Sequence, residues 1–109
     1  MPQTLRILGQ ANPAATTLVE LYRVPTGAEA RVHTLQICNQ AGAGTFRIAV
    51  IFNQASLTAM HYLYYDTAIG ANSVITLDDL TLGPNDHIWV YASSATMSFS
   101  AFGSEFALS

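Results

Sequence analysis

The groups in this 109-residue chain capable of acid–base, nucleophilic or metal chemistry are three histidines, one cysteine and seven acidic residues. His33, His61 and His87 lie 28 and 26 residues apart, with no short-spaced pair, so the local ligand spacing of a zinc site does not occur. His33 and His61 share the parity of apolar neighbours, which reads as packed or interface imidazoles and not as general bases. Cys38 sits in the apolar run Leu35, Gln36, Ile37, Cys38 with no basic neighbour to activate a thiolate, and reads as a small packed hydrophobe. Asp78, Asp79, Asn85 and Asp86 offer oxygen atoms, yet their interval lacks the ordered spacing and trailing glutamate of a dedicated calcium loop, so they are expected to be solvated turn residues. No Gly-x-Ser-x-Gly elbow or phosphate-cradling glycine loop occurs, and Gly42-Ala43-Gly44 reads as a turn. The expectation is a non-enzymatic protein with no metal and no cofactor.

Aromatic side chains are the richer signal. Tyr62, Tyr64 and Tyr65 crowd one segment, and Trp89 and Tyr91 another. Such rings pack cores, are enriched at the centres of protein interfaces, and can stack on sugars. Together with Arg47, whose planar guanidinium is suited to pairing with a carboxylate across a subunit boundary, Tyr62, Tyr64, Trp89 and Tyr91 are the candidate interface or glycan contacts.

Composition narrows the class of partner. Charged residues make up 10% of the chain, with no lysine, against 50% hydrophobic residues; an isolated soluble domain carries about 25% charged residues. Interspersed surface charge keeps a monomer apart from its neighbours, so this composition points to a subunit that lives against other protein. Four arginines in a chain of net charge -3 leave no basic stripe for phosphates, and nucleic acid is excluded as an expected partner. The longest apolar run, Ile48 to Phe52, is far below the roughly 20 residues of a spanning helix, and the N-terminus lacks the pattern of a signal peptide. No membrane role is expected. The single cysteine fits folding in a reducing cytoplasm.

The elements that must position these residues read as short strands. Proline and glycine punctuate the chain at Pro13, Pro25 to Gly27, Gly42 to Gly44, Gly70 and Gly83 to Pro84, leaving β-rich segments between them. Strands are predicted over Leu18 to Val24, Ala30 to Gln40, Thr45 to Asn53, Met60 to Asp66, Ser73 to Leu77, His87 to Ser93 and Thr96 to Phe106. Met97, Phe99 and Ala101 alternate with Thr96, Ser98 and Ser100, the pattern of a strand with one solvated face. In Phe46 to Asn53 the favoured inner face is Phe46, Ile48, Val50 and Phe52. Ala49 and Ile51 are apolar as well, which predicts cover on both sides, the second layer being a neighbouring subunit. Val24-Pro25-Thr26-Gly27 is a predicted turn with proline second. The fold class is all-β, a single-domain antiparallel β-sandwich of jelly-roll type, with residues 1–15 as an N-terminal arm or edge strand and residues 16–109 as the sandwich.

The succession Leu21-Tyr22-Arg23-Val24-Pro25-Thr26-Gly27, Ile37-Cys38-Asn39, Thr45-Phe46-Arg47-Ile48-Ala49-Val50, His61-Tyr62-Leu63-Tyr64-Tyr65-Asp66, Val90-Tyr91-Ala92-Ser93 and Phe102-Gly103-Ser104-Glu105 resembles small virion-associated proteins of tailed bacteriophages. The resemblance spans about Thr16 to Phe106. It implies an antiparallel sandwich with a structural role: a capsid cement or decoration protein that stabilises the shell, or a neck, tail or baseplate component. The implied partners are other virion proteins, the major capsid protein first, with the chain as a homotrimer, made in the host cytoplasm and located in the virion. The alternative from another class is a host-glycan-binding module that uses the Tyr and Trp cluster.

Overall fold

Alternation of apolar and polar residues with a period of two dictates the architecture of the protein, a computed structural model describing residues 3–52, 57 and 59–107. The described residues form eight strands: β1 (Gln3–Ala11), β2 (Val19–Arg23), β3 (Ala28–Asn39), β4 (Gly44–Ile51), β5 (Tyr62–Ile69), β6 (Val74–Leu82), β7 (His87–Ala92) and β8 (Met97–Ala107). A single 3-10 turn, Ala59–His61, precedes β5. Two four-stranded antiparallel sheets result, ordered β1-β8-β3-β6 and β2-β7-β4-β5. Every connection crosses between sheets except that from β4 to β5, the order of an eight-stranded jelly roll. The fold class read from the sequence is therefore the one observed.

The core fills the space between the sheets. Met97, Phe99 and Ala101 of β8 are fully buried opposite Phe46 and Ile48 of β4, and the Phe46 and Phe99 rings meet edge to face across the sheets at 6.4 Å. On β3 the buried parity changes: Ala30 and Val32 point inward, then Leu35, Ile37 and Asn39. A bulge between Val32 and Thr34 causes the change and turns His33 out to solvent, so its expected packed position does not form. β6 keeps an unbroken register with β3 and runs through Asp79 (φ 55°) to Leu82 instead of ending at Leu77. Gly103 lies against this bulge, where a Cβ would come within 2.0 Å of the Arg31 carbonyl oxygen.

The connections at one end converge on Asn39. Its Nδ2 donates to the carbonyls of Gly42 (2.9 Å) and Gly70 (3.0 Å), while its Oδ1 accepts from the Thr96 hydroxyl (3.0 Å) and the Ala41 amide (3.4 Å). At the other end, the proline turn is Pro25 to Ala28, one residue later than predicted. The Ala28 amide donates to the Pro25 carbonyl at 3.2 Å, and Gly27 supplies the positive φ of 85° that the third position of a type II turn requires.

Three substitutions are expected to report on these features in chemical denaturation. Ile48→Ala should cost about 2–5 kcal/mol, the range for truncating a buried aliphatic side chain. Asn39→Ala should cost about 2–4 kcal/mol, since four hydrogen bonds to the loops are lost at about 0.5–1.5 kcal/mol each. Gly103→Ala removes nothing, yet should still destabilise by at least about 1–3 kcal/mol through overpacking against the Arg31 carbonyl.

Candidate functional site

With Phe46 and Ile48 committed to the core, the pleat of β4 must point Arg47 and Ala49 outward. Pairing then places partners beside them. Tyr91 of β7 opposes Arg47, and Ala49 lies between Trp89 of β7 and Tyr62 of β5. Four of the five candidate residues, Arg47, Tyr62, Trp89 and Tyr91, thus share the outer face of the β2-β7-β4-β5 sheet. Tyr64 does not join them: it pairs with inward-facing Ile48 and stacks on Phe46 at 5.5 Å.

Two bulges in β5 give the face its character. Leu63 is an extra residue between the pairs Ala49–Tyr62 and Ile48–Tyr64, and beyond Tyr64 both Tyr65 and Asp66 oppose Arg47. Arg47 contacts both of them. Its Nε donates to Asp66 Oδ1 at 2.6 Å and its Nη2 to Oδ2 at 3.2 Å, a bidentate pair. Its guanidinium lies over the Tyr65 ring at 4.2 Å and over the Tyr91 ring at 4.3 Å. Donation of hydrogen bonds to the Asp66 carboxylate first, then the attraction of its opposite charge, holds the guanidinium pKa above its ordinary value. Tyr62 meets Tyr65 edge to face at 4.9 Å. The carboxylate expected from a neighbouring subunit is thus Asp66 of the same chain, because the bulge turns it toward Arg47.

The second layer expected over β4 is also supplied from within. Ala49 and Ile51 are both buried although they face outward. Ala49 is small enough to sit below the large side chains of its two cross-strand partners, and Ile51 pairs with His87, itself buried. Phe52, assigned to the inner face by alternation, lies just beyond the end of β4 and is exposed.

A polar network borders the aromatic row. The Trp89 indole N–H donates to His87 Nδ1 at 2.8 Å. An indole can only donate, so Nδ1 is the acceptor and the neutral imidazole carries its proton on Nε2, an atom that is buried with no hydrogen-bond partner. Arg23 Nη2 lies 3.3 Å from the same Nδ1 and pairs with Glu20 at 2.9 Å. The Arg23 hydrogen bond holds the Glu20 carboxyl below its ordinary pKa of 4.5.

The remaining candidate chemistry is dispersed. His33 Nε2 and Ser104 Oγ lie 3.3 Å apart, but Ser104 is completely buried in β8 and its hydroxyl cannot meet a substrate. Cys38 is half-buried in β3 between its cross-strand partners Ser98 and Val74. Three of the four oxygen-bearing residues considered for calcium serve locally: Asp86 accepts from the Gly83 amide at 2.7 Å, Asn85 accepts from the Thr26 hydroxyl at 2.8 Å, and Asp79 stands 3.7 Å from Arg31. Among the described residues no three His, Cys, Asp or Glu side chains are grouped to hold a metal ion. Among the same residues no helix is long and apolar enough to cross a membrane.

No protein-family model and no curated protein matches this sequence. Among solved structures, the chain is similar to a protein of Bacillus endospore appendages, described as disulfide-linked pili. That likeness has 15% identity and a TM-score of 0.60, covering 99% of this chain and 88% of the other. It is also similar to a protein in the structure of infectious bursal disease virus Gx strain, with 13% identity and a TM-score of 0.48, covering 95% of this chain and 30% of that one. The likeness to the appendage protein extends over nearly the whole sandwich and shows a shared fold.

The residues missed by sequence reasoning are Tyr65, Asp66 and His87. Strict alternation along β5 grouped Tyr62 with Tyr64, whereas the bulges group Tyr62 with Tyr65. If Arg47 braces the edge strand as described, Arg47→Lys should lower the thermal midpoint, because an ammonium keeps the charge but loses the bidentate fork and the planar stack. Glu20→Gln tests the border network. A carboxyl with a depressed folded pKa stabilises fully above its ordinary value and loses that contribution as pH falls through the folded one. The two proteins should therefore differ most in midpoint at neutral pH and converge in acid.

Proposed function

We propose that the chain is a non-enzymatic structural protein of a virus particle: a capsid cement or decoration subunit of a tailed bacteriophage, assembled as a homotrimer, made in the host cytoplasm and docked on the major capsid protein. The observation that carries the reading is the outer face of the β2-β7-β4-β5 sheet, where aromatic rings surround arginines already neutralised by acids of the same chain. Such a surface has the aromatic and arginine enrichment of an interface core without an uncompensated charge to desolvate. The sequence resemblance to virion proteins supports the choice of particle. The fold is compatible with assembly, since the Bacillus appendage protein of the same fold belongs to pili.

The arrangement of the rings favours protein over sugar. Tyr65 and Tyr91 each turn a face to the Arg47 guanidinium, and Tyr62 and Tyr65 pack edge to face, so part of the ring surface on which a pyranose would stack is already occupied.

Gradient-purified particles of the phage encoding the chain should contain it in stoichiometric amount. Particles lacking it should gain heat resistance when it is added, because a ligand that binds only the intact shell stabilises that shell. Attachment should persist from 0.1 M to 1 M salt, over which the Debye length falls from about 10 Å to about 3 Å. Absence from purified particles would overturn the proposal, and specific, saturable glycan binding would replace it with the sugar-binding alternative.

A further inference from the structure

Six large apolar side chains are strongly exposed among the described residues, and four of them gather around one edge of one sheet: Phe52 (56% exposed) at the end of β4, Met60 (75%) in the 3-10 turn, and Leu63 (49%) and Tyr65 (57%) on β5. The 3-10 turn packs against β4, and the Phe52 ring meets His61 at 5.9 Å. Tyr65 continues into the aromatic row through Tyr62. The bulges of β5 make Leu63 an extra residue in the strand and set Tyr65 beside Asp66 opposite Arg47, so the exposure of two of the four belongs to the backbone path of the edge strand. The bulges also interrupt the ladder, which disfavours simple strand addition along β5. What this edge offers a partner is side chains.

The distribution of charge favours a second copy as that partner. The strands β2, β7, β4 and β5 carry two acids, Glu20 and Asp66, and two arginines, Arg23 and Arg47, paired as Arg23–Glu20 at 2.9 Å and Arg47–Asp66 at 2.6 Å. The strands of the other sheet carry Glu29, Asp78, Asp79 and Glu105 against Arg6 and Arg31, and Asp86 lies in the turn after β6. The two sheets and that turn contain all eleven charged residues, so the whole formal net charge of -3 lies outside the β2-β7-β4-β5 sheet. Two copies approaching through the opposite sheet bring like charges together, whereas two copies approaching through this one do not.

We propose that the Phe52, Met60, Leu63 and Tyr65 patch is the surface on which a second copy of this chain docks, with the neutral β2-β7-β4-β5 sheet of that copy as the opposing surface. The inference rests on the assembly-subunit reading above and adds the contact through which copies associate. Its physical basis is burial of apolar area that is otherwise left in water, a contribution that scales with the area removed.

Sedimentation velocity on the full chain from about 1 to 100 µM tests it. Wild type should self-associate, with a dissociation constant that changes less than about twofold between 0.1 M and 1 M salt, as expected for a neutral contact. Leu63→Asp and Met60→Asp should each weaken association by at least about tenfold, the scale of losing an interface anchor. Met60 is exposed enough that its variant keeps the wild-type circular dichroism and thermal midpoint. Val74→Asp, at a similarly exposed apolar position on β6 of the other sheet, should leave association unchanged. The proposal is overturned if Val74→Asp disrupts association as strongly as Leu63→Asp, or if wild type remains monomeric throughout. In the monomeric case, entry of the chain into particles would leave the assembly reading standing without this contact, and exclusion from particles would remove both.

Discussion

Asn39 holds together three of the connections that meet at one end of the sandwich. A jelly roll passes its chain repeatedly from one sheet to the other, so the loops between β3 and β4, β5 and β6, and β7 and β8 must lie side by side. Their carbonyls and amides are partly withdrawn from water and need fixed partners. One buried amide side chain serves all three loops, donating to Gly42 and Gly70 and accepting from Ala41 and Thr96. Its own backbone amide donates to Ser73 at 2.9 Å. With those loops fixed, the registers of β4 and β8 are fixed as well, and Phe46 and Phe99 are brought into contact at the centre of the core.

From that register follows the character of the outer face. Setting Phe46 and Ile48 inward leaves Arg47 outward with no choice of neighbours other than those that pairing provides. The bulged path of β5 then delivers a tyrosine and an aspartate to the same arginine. A regular strand would have delivered one residue. The result is a transverse row, Tyr62, Tyr65, Arg47 and Tyr91, that ties the edge strand β5 through β4 to β7. Rigid rings and a matched ion pair have little conformational freedom left to lose, the property that binding through shape and apolar area would use.

The separation of charge between the sheets bears on how such a chain avoids indiscriminate association. Net charge maintains solubility, and in this chain it is concentrated on one sheet and an adjoining turn. The other sheet is free of net charge and carries the exposed Met, Leu, Phe and Tyr side chains. A protein with 10% charged residues has few with which to accomplish both tasks, and placing them on one side leaves the other able to meet protein without desolvating an unmatched ion.

The sequence by itself determined the all-β sandwich and most of its strands, because a period of two in residues such as Met97, Phe99 and Ala101 is a local pattern that survives any arrangement of neighbours. It also picked out Arg47, Tyr62, Trp89 and Tyr91 as residues to follow. Only the tertiary structure decided that Tyr65 belongs with them and Tyr64 does not, that Asp66 and not a neighbouring subunit neutralises Arg47, and that His33 faces solvent. Each of these outcomes turns on a bulge. A bulge is set by two strands paired across long sequence separations, and one added residue moves every later side chain to the opposite face. The concentration of net charge on one sheet was hidden for a related reason: composition counts charges, while strand order assigns them to sides.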